Sequence, residues 1–484
     1  MLTVGTVRAA TIVGAVSAIT FAAVIAGPTP TQLVMLLAIV IVGTYIGLAH
    51  PTWLLWALAA VLACLPAGYV PGVHLPLIFA MTSAVLLATV IHPPAGSSTT
   101  WSSTTWWSTA GSPTARSRIE LQPLDRLLIL FALIAIPSVV LTMTGLADIV
   151  EYAKWATAVL LIVALRRLPG SQLATFGRVF VGATAVSGLI GLIMLTVDTG
   201  GKTFSLLSPF GYTPASAGRF VYTAATAIPR LSGTFIDPNA AGIGLLAALM
   251  ICPLVFRGRT RWLLGLFLLA CIAGTLSRAA LFSVVLGVIL MLVFHTMSGR
   301  ARGYIAGSMV AGMVVLAAVP ASRHRIFSSF GSGDTGSSAR GDALRDYPAN
   351  MAGHWLLGHG WGIPEFKDPS LAFTINYVAN APLLAIYRGG LFVGVAFTVV
   401  MLYCCWLAYR CLRHARWEPA FFGGCFIGFF VLGMQLDFST VTIPVSVTDL
   451  SVMIAFLAFA QRFSTSDESV SARATARATS VGAG

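Results

Sequence analysis

The sequence predicts an all-α, polytopic integral membrane protein with about 12–14 transmembrane helices and a large extracytoplasmic loop carrying short helices. Three observations predict it. Of the 484 residues, 57% are hydrophobic and 9% are charged, where a soluble domain carries about 25% charged residues. Apolar runs close to the ~20 residues that cross a bilayer recur from one end of the chain to the other. Basic residues collect in alternate loops between those runs, as the positive-inside rule requires.

The runs lie near 9–27, 31–49, 52–67, 74–91, 126–146, 150–166, 177–197, 238–256, 261–276, 279–297, 303–320, 378–409, 418–437 and 445–461. The third and ninth are short, which sets the lower figure. The first resembles a signal peptide in length, but a second span follows at once, so it reads as a retained signal anchor. The weak stretch at 378–388 ahead of a longer run reads as a tilted or broken start to a helix.

Placing Arg166, Arg167 and Arg178, then Arg257, Arg259 and Arg261, then Arg300 and Arg302, then Arg410, Arg413 and Arg416 in the cytoplasm puts both termini inside. The Trp/Ser/Thr-rich segment 95–118 then reads as a flexible inner loop, and residues 463–484 as a disordered cytoplasmic tail. Residues 1–197 form an N-terminal set of helices, and 198–462 a core that includes the outer loop 321–377. Residues 198–237, 275–278, 321–377 and 435–444 emerge outside, and nearly all reactive side chains go with them. ATP and nucleotide sugars are absent there, so a reaction at that face needs a donor already energised and delivered on lipid.

Several function classes drop out. The net charge of +13 follows from the inner arginines and does not call for nucleic acid. The seven cysteines fall in or beside apolar runs without a CxxC pair or a Cys/His cluster, so they read as small buried hydrophobes, and no metal or cofactor is expected. No Walker motif, GxSxG or HExxH is present, which disfavours an ATP-driven pump and a serine or zinc hydrolase.

The chemistry concentrates in short outer motifs. In Arg230-Leu231-Ser232-Gly233-Thr234-Phe235-Ile236-Asp237-Pro238-Asn239, Asp237 and Pro238 are helix-start residues. Arg230 beside that helix start can cradle a diphosphate or snorkel to lipid headgroups. Thr275-Leu276-Ser277-Arg278 makes a very tight turn in which Ser277 can cap the next helix, aiming that helix's positive end and Arg278 at one spot. The loop carries Arg340 and an amphipathic stretch from Arg340 to Leu357. It ends in Gly358-His359-Gly360-Trp361-Gly362, a turn of the kind that lets backbone approach a ligand closely. His354 and His359 are candidates for a general base or for packing, and Trp355 and Trp361 for sugar stacking or interface anchoring. Asn380, Arg388 and Asp437 sit within or at the ends of spans, where polar groups are costly.

The four motifs in this order and sidedness resemble the O-antigen ligase/polymerase superfamily over about residues 230–395, with Asn380 to Leu391 similar to the helix start that follows the loop in that family. The resemblance implies a metal-independent glycosyltransferase at the outer face of the cytoplasmic membrane. The donor would be a polyprenyl-diphosphate-linked glycan, and the acceptor a cell-envelope glycan or lipid. By position, Arg230, Arg278 and Arg340 would hold the diphosphate, with Arg278 also stabilising the departing charge, and His354 or His359 would serve as base. Asn239, Asn380, Arg388, Trp355 and Trp361 complete the expected binding set. Many relatives carry a His-Asn pair where this chain has Ala379-Asn380, so the base must come from elsewhere or be dispensable. The alternative is a transporter or flippase of a lipid-linked glycan or organic anion, in which the same arginines bind without chemistry.

Overall fold

The computed structural model describes residues 41, 43, 45, 49–71, 75–91, 122–213, 220–222, 227–319, 323, 335–362, 380–433 and 445–462. The two N-terminal runs, the segment 95–118, Ala379, Asp437 and the tail 463–484 lie outside this set, apart from isolated positions between 41 and 49.

From the third run onward, helices occupy the expected places. They are α1 (Pro51–Cys64), α2 (Leu77–Ile91), α3 (Pro123–Ile134), α4 (Ile136–Thr142), α5 (Leu146–Arg166), α6 (Gly170–Thr196) and α7 (Pro238–Val255). Then come α8 (Gly258–Thr275), α9 (Arg278–Phe294), α10 (Gly299–Ala318), α11 (Thr335–Asn350), α12 (Ala381–Leu412), α13 (Trp417–Gly433) and α14 (Val445–Arg462). Three antiparallel pairs, Phe220–Pro229 to Tyr222–Ala227, join β1 (Phe220–Tyr222) to β2 (Ala227–Pro229) just before Arg230.

Five of these segments are long and apolar enough to cross a membrane: α3–α4 together, α6, α7, α12 and α14. Helices α1, α2, α9 and α13 are apolar but shorter. Helices α5, α8 and α10 carry charges at or near their ends, among them Asp148, Arg261 and Arg302.

Helix α7 is the hub. Its small residues Ala240, Ala241, Gly242, Gly244, Ala247 and Ala248 leave no bulk on its surface, so α6, α8, α9 and α13 all approach it and nearly every side chain is buried. Without a hydrophobic drive between helices in lipid, such close backbone approach supplies the packing energy. The same logic joins α9 to α13. Ser283 and Gly287 on α9 face Gly424 and Gly428 on α13, where a Cβ at Gly428 would lie 2.5 Å from the Ser283 carbonyl oxygen. Opposite ends of the bundle are tied differently. At one end sit the buried pair Asp125–Arg166 at 3.4 Å and the pair Arg261–Glu418 at 3.0 Å, with Arg261 also over the Trp417 ring. The other end holds the turns that carry the sequence motifs.

Helix α12 is broken at Gly390 (φ 81°, ψ 178°), as the weak stretch at 378–388 anticipates. The break exists to seat the turn 351–362. The Leu391 amide donates to the Trp355 carbonyl at 2.8 Å, and the His359 amide to the Tyr387 carbonyl at 2.7 Å. Gly358 (φ 76°) is therefore required twice over, for its left-handed backbone and because a Cβ would lie 2.4 Å from the Arg388 carbonyl oxygen. Gly353 has the same handedness (φ 81°) but open space around it. Gly358→Ala should lower thermal stability by more than Gly353→Ala, whose cost is the backbone term of about 1–2 kcal/mol alone. Equal losses in the two variants would mean that α12 is not packed on this turn.

Candidate functional site

The two arginine motifs meet at one end of the bundle. β2 delivers the chain to Arg230, and the Leu231 amide donates to the Gly274 carbonyl at 2.9 Å, clasping the first motif to the end of α8. The Arg230 guanidinium donates through Nε to the Thr275 carbonyl at 2.9 Å and through Nη2 to Asn239 Oδ1 at 3.0 Å. A cation at the C-terminal, negative end of α8 is well placed electrostatically.

Beyond Arg230 the chain makes a short 3₁₀ turn, Gly233–Phe235, pinned from beneath. Ser187 and Thr234 share a hydroxyl hydrogen bond of 2.6 Å, and the Tyr212 hydroxyl donates to the Thr234 carbonyl at 2.9 Å while accepting from the Ala67 amide at 3.2 Å. Burial raises the Tyr212 phenol well above its ordinary pKa, so it serves as a neutral donor. Asp237 then caps α7, its Oδ1 accepting from the Asn239 and Ala240 amides at 2.8 and 3.0 Å, with Pro238 at the first helical position.

The second turn departs from expectation in one respect. Ser277 occupies the cap position of α9, but its side chain makes no cap; its Oγ is buried without a hydrogen-bond partner among the described residues. The turn is instead closed by Thr275, whose hydroxyl donates to the Ile272 carbonyl at 2.7 Å and accepts from the Ser277 amide at 3.1 Å. Gly242 of α7 leaves the room that the Ser277 side chain occupies, since a Cβ there would lie 2.8 Å from Ser277 Cβ and 2.9 Å from its Oγ. Arg278, half-buried, is the first residue of α9. Leu276 (φ 52°) and Ile236 (φ 64°), one in each turn, hold the left-handed region without being glycine. Each such position costs about 1–3 kcal/mol and persists only where its surroundings enforce it.

The loop residues form a second cluster. Helix α11 ends at Asn350, so the expected amphipathic helix to Leu357 is cut short, and residues 351–357 are turns. Tyr347 and Met351 pack on Leu384 and Tyr387 of α12. The His354 and His359 rings stack at 4.1 Å, and His359 lies 4.6 Å from the Tyr387 ring. His359 Nε2 is 2.9 Å from the Asn350 carbonyl, which can only accept, so Nε2 carries a proton and Nδ1 is the basic nitrogen of the neutral ring. Burial pushes the His359 pKa below its ordinary value, partly opposed by the Asn350 carbonyl and reinforced by His354. Arg340 lies on α11, but its side chain is outside the described residues.

Three of the expected binding residues are engaged within the protein. Trp361 is 1% exposed, with Trp155 at 4.8 Å and Tyr152 at 5.5 Å, so it stacks on the core and not on a sugar. Arg388 is 3% exposed and donates through Nη1 to the Trp361 carbonyl at 3.1 Å. Asn380 caps α12, its Oδ1 accepting from the Leu383 amide at 3.2 Å. The glycines at 358, 360 and 362 bring their backbone against α12 and Asp148 and not toward a ligand. Trp355 alone of the aromatic pair is exposed, edge-on to Tyr347 at 5.9 Å.

Asp148 escaped sequence reasoning. Its carboxylate accepts from the Gly362 amide at 2.6 Å and, near the start of α5, from the amides of Thr144 and Gly145 at 3.0 and 3.3 Å. The spacing of Thr144-Gly145 to Asp148 was a readable helix-start signal, whereas the contact with Gly362, 214 residues distant, was not.

No protein-family model matches the chain, and no curated protein matches it in sequence.

Asn239→Ala removes the acceptor of a charged hydrogen bond and should destabilise the first turn by about 1.5–3 kcal/mol, read as a lower unfolding temperature that Asn239→Asp restores. An unchanged unfolding temperature in Asn239→Ala would show that Arg230 does not rely on this bond.

Proposed function

We propose that this chain is a membrane glycosyltransferase of the O-antigen ligase/polymerase kind, moving a glycan from a polyprenyl-diphosphate donor to a cell-envelope glycan or lipid at the outer face of the cytoplasmic membrane. The observation that carries the reading is the clasp that puts Arg230 and the Thr275–Arg278 turn together at the start of α9. An anion there would meet the positive end of α9, whose first-turn amides take no side-chain cap, together with guanidinium groups suited to phosphate.

In the reaction, an acceptor hydroxyl attacks the anomeric carbon of the donor. The new C–O bond forms as the bond to the diphosphate oxygen breaks, and the departing oxygen takes the electron pair. Arg230 and Arg278 would stabilise that charge as it develops, the part of such a step where fixed donors contribute most. The acceptor proton goes to a base, for which His359 Nδ1 is the best-prepared nitrogen, or to water if the diphosphate leaves without such help. Trp355, exposed beside the histidine pair, is the aromatic surface available to a sugar ring.

The transport reading has its own support. Helix α12 is broken at Gly390 and packs against α3–α4, which is itself interrupted at Ala135, and interrupted helices are what transporters build their sites from. Profiling lipid-linked glycans in cells with and without the protein separates the two. Full-length polyprenyl-diphosphate glycan accumulating outside indicates a ligase, single repeats a polymerase, and accumulation on the cytoplasmic side a transporter.

Arg278→Ala should reduce transfer about 10²-fold or more without loss of folded protein, as removal of one charge-stabilising donor does elsewhere; full activity would remove the diphosphate site. The sign for pH follows from the direction at His359. A lowered pKa keeps the ring neutral further into acid, so the acid limb of the rate profile should have its midpoint below about 6.5. His359→Ala should abolish that limb, and an identical limb in the variant would exclude His359 as the base.

A further inference from the structure

Asp449 lies one turn into α14, is 0% exposed, and has neither carboxyl oxygen hydrogen-bonded to any described residue. It packs against Gly244 of α7, where a Cβ would lie 3.1 Å from Asp449 Oδ2 and 2.5 Å from the ring of Phe235. Phe235 belongs to the 3₁₀ turn of the first arginine motif. The carboxyl thus sits directly behind the turn that carries Arg230, on the same glycine.

Each charged or titratable group named here from the surrounding elements has another partner: Arg230 bonds Thr275 and Asn239, Arg166 of α5 pairs with Asp125, and Arg388 of α12 bonds the Trp361 carbonyl. Asp237 is spent on the α7 cap, and Cys252 near the far end of α7 donates to the Arg261 carbonyl. On α6, Arg178 donates to the Val255 carbonyl. On α5, Lys154 pairs with Glu151 at 2.6 Å, Asp148 holds Gly362, and the Tyr152 hydroxyl donates to the Ala132 carbonyl. Cys411 of α12 donates to the Leu457 carbonyl, two turns further along α14. Thr448 and Ser451, the polar neighbours of Asp449 on its own helix, donate to backbone carbonyls. A metal cation would need several oxygen ligands, and among the described residues no other oxygen is bonded to this carboxyl. An ionised carboxylate in such surroundings carries an uncompensated desolvation cost, and a buried group meets it by taking up a proton.

We propose that Asp449 is a proton-binding site whose neutral form seats the Gly233–Phe235 turn, so that the Arg230 clasp is assembled on the protonated protein and loosened when the proton is lost. This holds whatever anion the arginines bind. It assigns α14 a part in the site although α14 carries none of the motifs.

The test uses the full chain in lipid nanodiscs, wild type against Asp449→Asn. Infrared spectra at neutral pH should show a protonated-carboxyl C=O stretch that shifts on deuteration and is missing from the variant. From about pH 5 to about pH 9, wild-type stability should fall relative to the variant, because a proton bound more tightly in the folded state stabilises at low pH and is lost as pH rises. Hydrogen exchange of the Leu231–Asp237 amides should then be faster in wild type than in Asp449→Asn at the alkaline end. Three results would each overturn the proposal: no such band at neutral pH, a variant less stable by the same margin at every pH, or identical exchange in the two proteins. If Asp449→Asn does not accumulate, wild-type protein labelled with carboxyl-¹³C aspartate decides the matter by the presence or absence of an acid band at neutral pH.

Discussion

The hydrogen bond from Arg230 to the Thr275 carbonyl is the contact on which this end of the bundle depends. A helix ends with carbonyls that nothing within it can satisfy, and in an apolar setting each unsatisfied group is expensive. At the end of α8 one such carbonyl is answered by a guanidinium and the preceding one by the Leu231 amide. The bond does more than close a helix. It fixes a positive side chain within a turn of where α9 begins, with Asn239 holding the other arm of the fork at the start of α7. One C-terminus and two N-termini converge there: Arg230 answers the first, Asp237 caps α7, and α9 begins without a side-chain cap. Strain at Ile236 and Leu276, one on either side of the clasp, is what holding two tight turns in register demands.

The second cluster is organised by absence of side chains. Helix α12 meets the turn backbone to backbone at Gly390, where the Leu356 carbonyl and Leu357 Cα occupy the place of a Cβ, as the Arg388 carbonyl does at Gly358. The histidine pair therefore stands on a main-chain scaffold: the His359 and Gly360 amides are bonded to α12, and Gly362 to Asp148. Side chains mounted this way have fixed positions, which suits a base and suits a ligand-free packing motif equally. What distinguishes His359 is that its Nε2 is committed to Asn350 and its Nδ1 is not.

Much of this was legible in the sequence. Hydrophobic length gave the helices from α1 onward other than α11, Asp237-Pro238 gave the start of α7, and the weak stretch at 378–388 gave the break in α12, because each of these is a local property. The residues whose surroundings could not be read locally share another feature. Arg388 and Trp361 are polar or amphipathic groups in or beside spans, the very pattern that marks a ligand site in membranes, and both are buried, with Arg388 Nη1 donating to the Trp361 carbonyl across the fold. Ser277 has the right type at the right position for a cap, yet its side chain fills the room left by Gly242, a neighbour that no local rule names. Asp148 and Asp449 went unread for the same reason, since burial and partners depend on elements hundreds of residues apart.

The same comparison separates the polar groups inside the bundle into two kinds. Asp125, Arg166, Arg388 and Asp148 are buried but answered, by an ion pair or by backbone, and a protein needs such groups merely to close its turns and hold its helices. Asp449 and the Ser277 hydroxyl, like the Thr82 hydroxyl and Trp361 Nε1, are buried with no hydrogen-bond partner among the described residues, and the first two touch α7 near its start, at Gly244 and Gly242. An unmet polar group is a standing cost that packing alone does not explain. Those two stand near the Arg230 clasp, Ser277 two residues beyond the Thr275 carbonyl that Arg230 meets and Asp449 against the glycine that also seats Phe235.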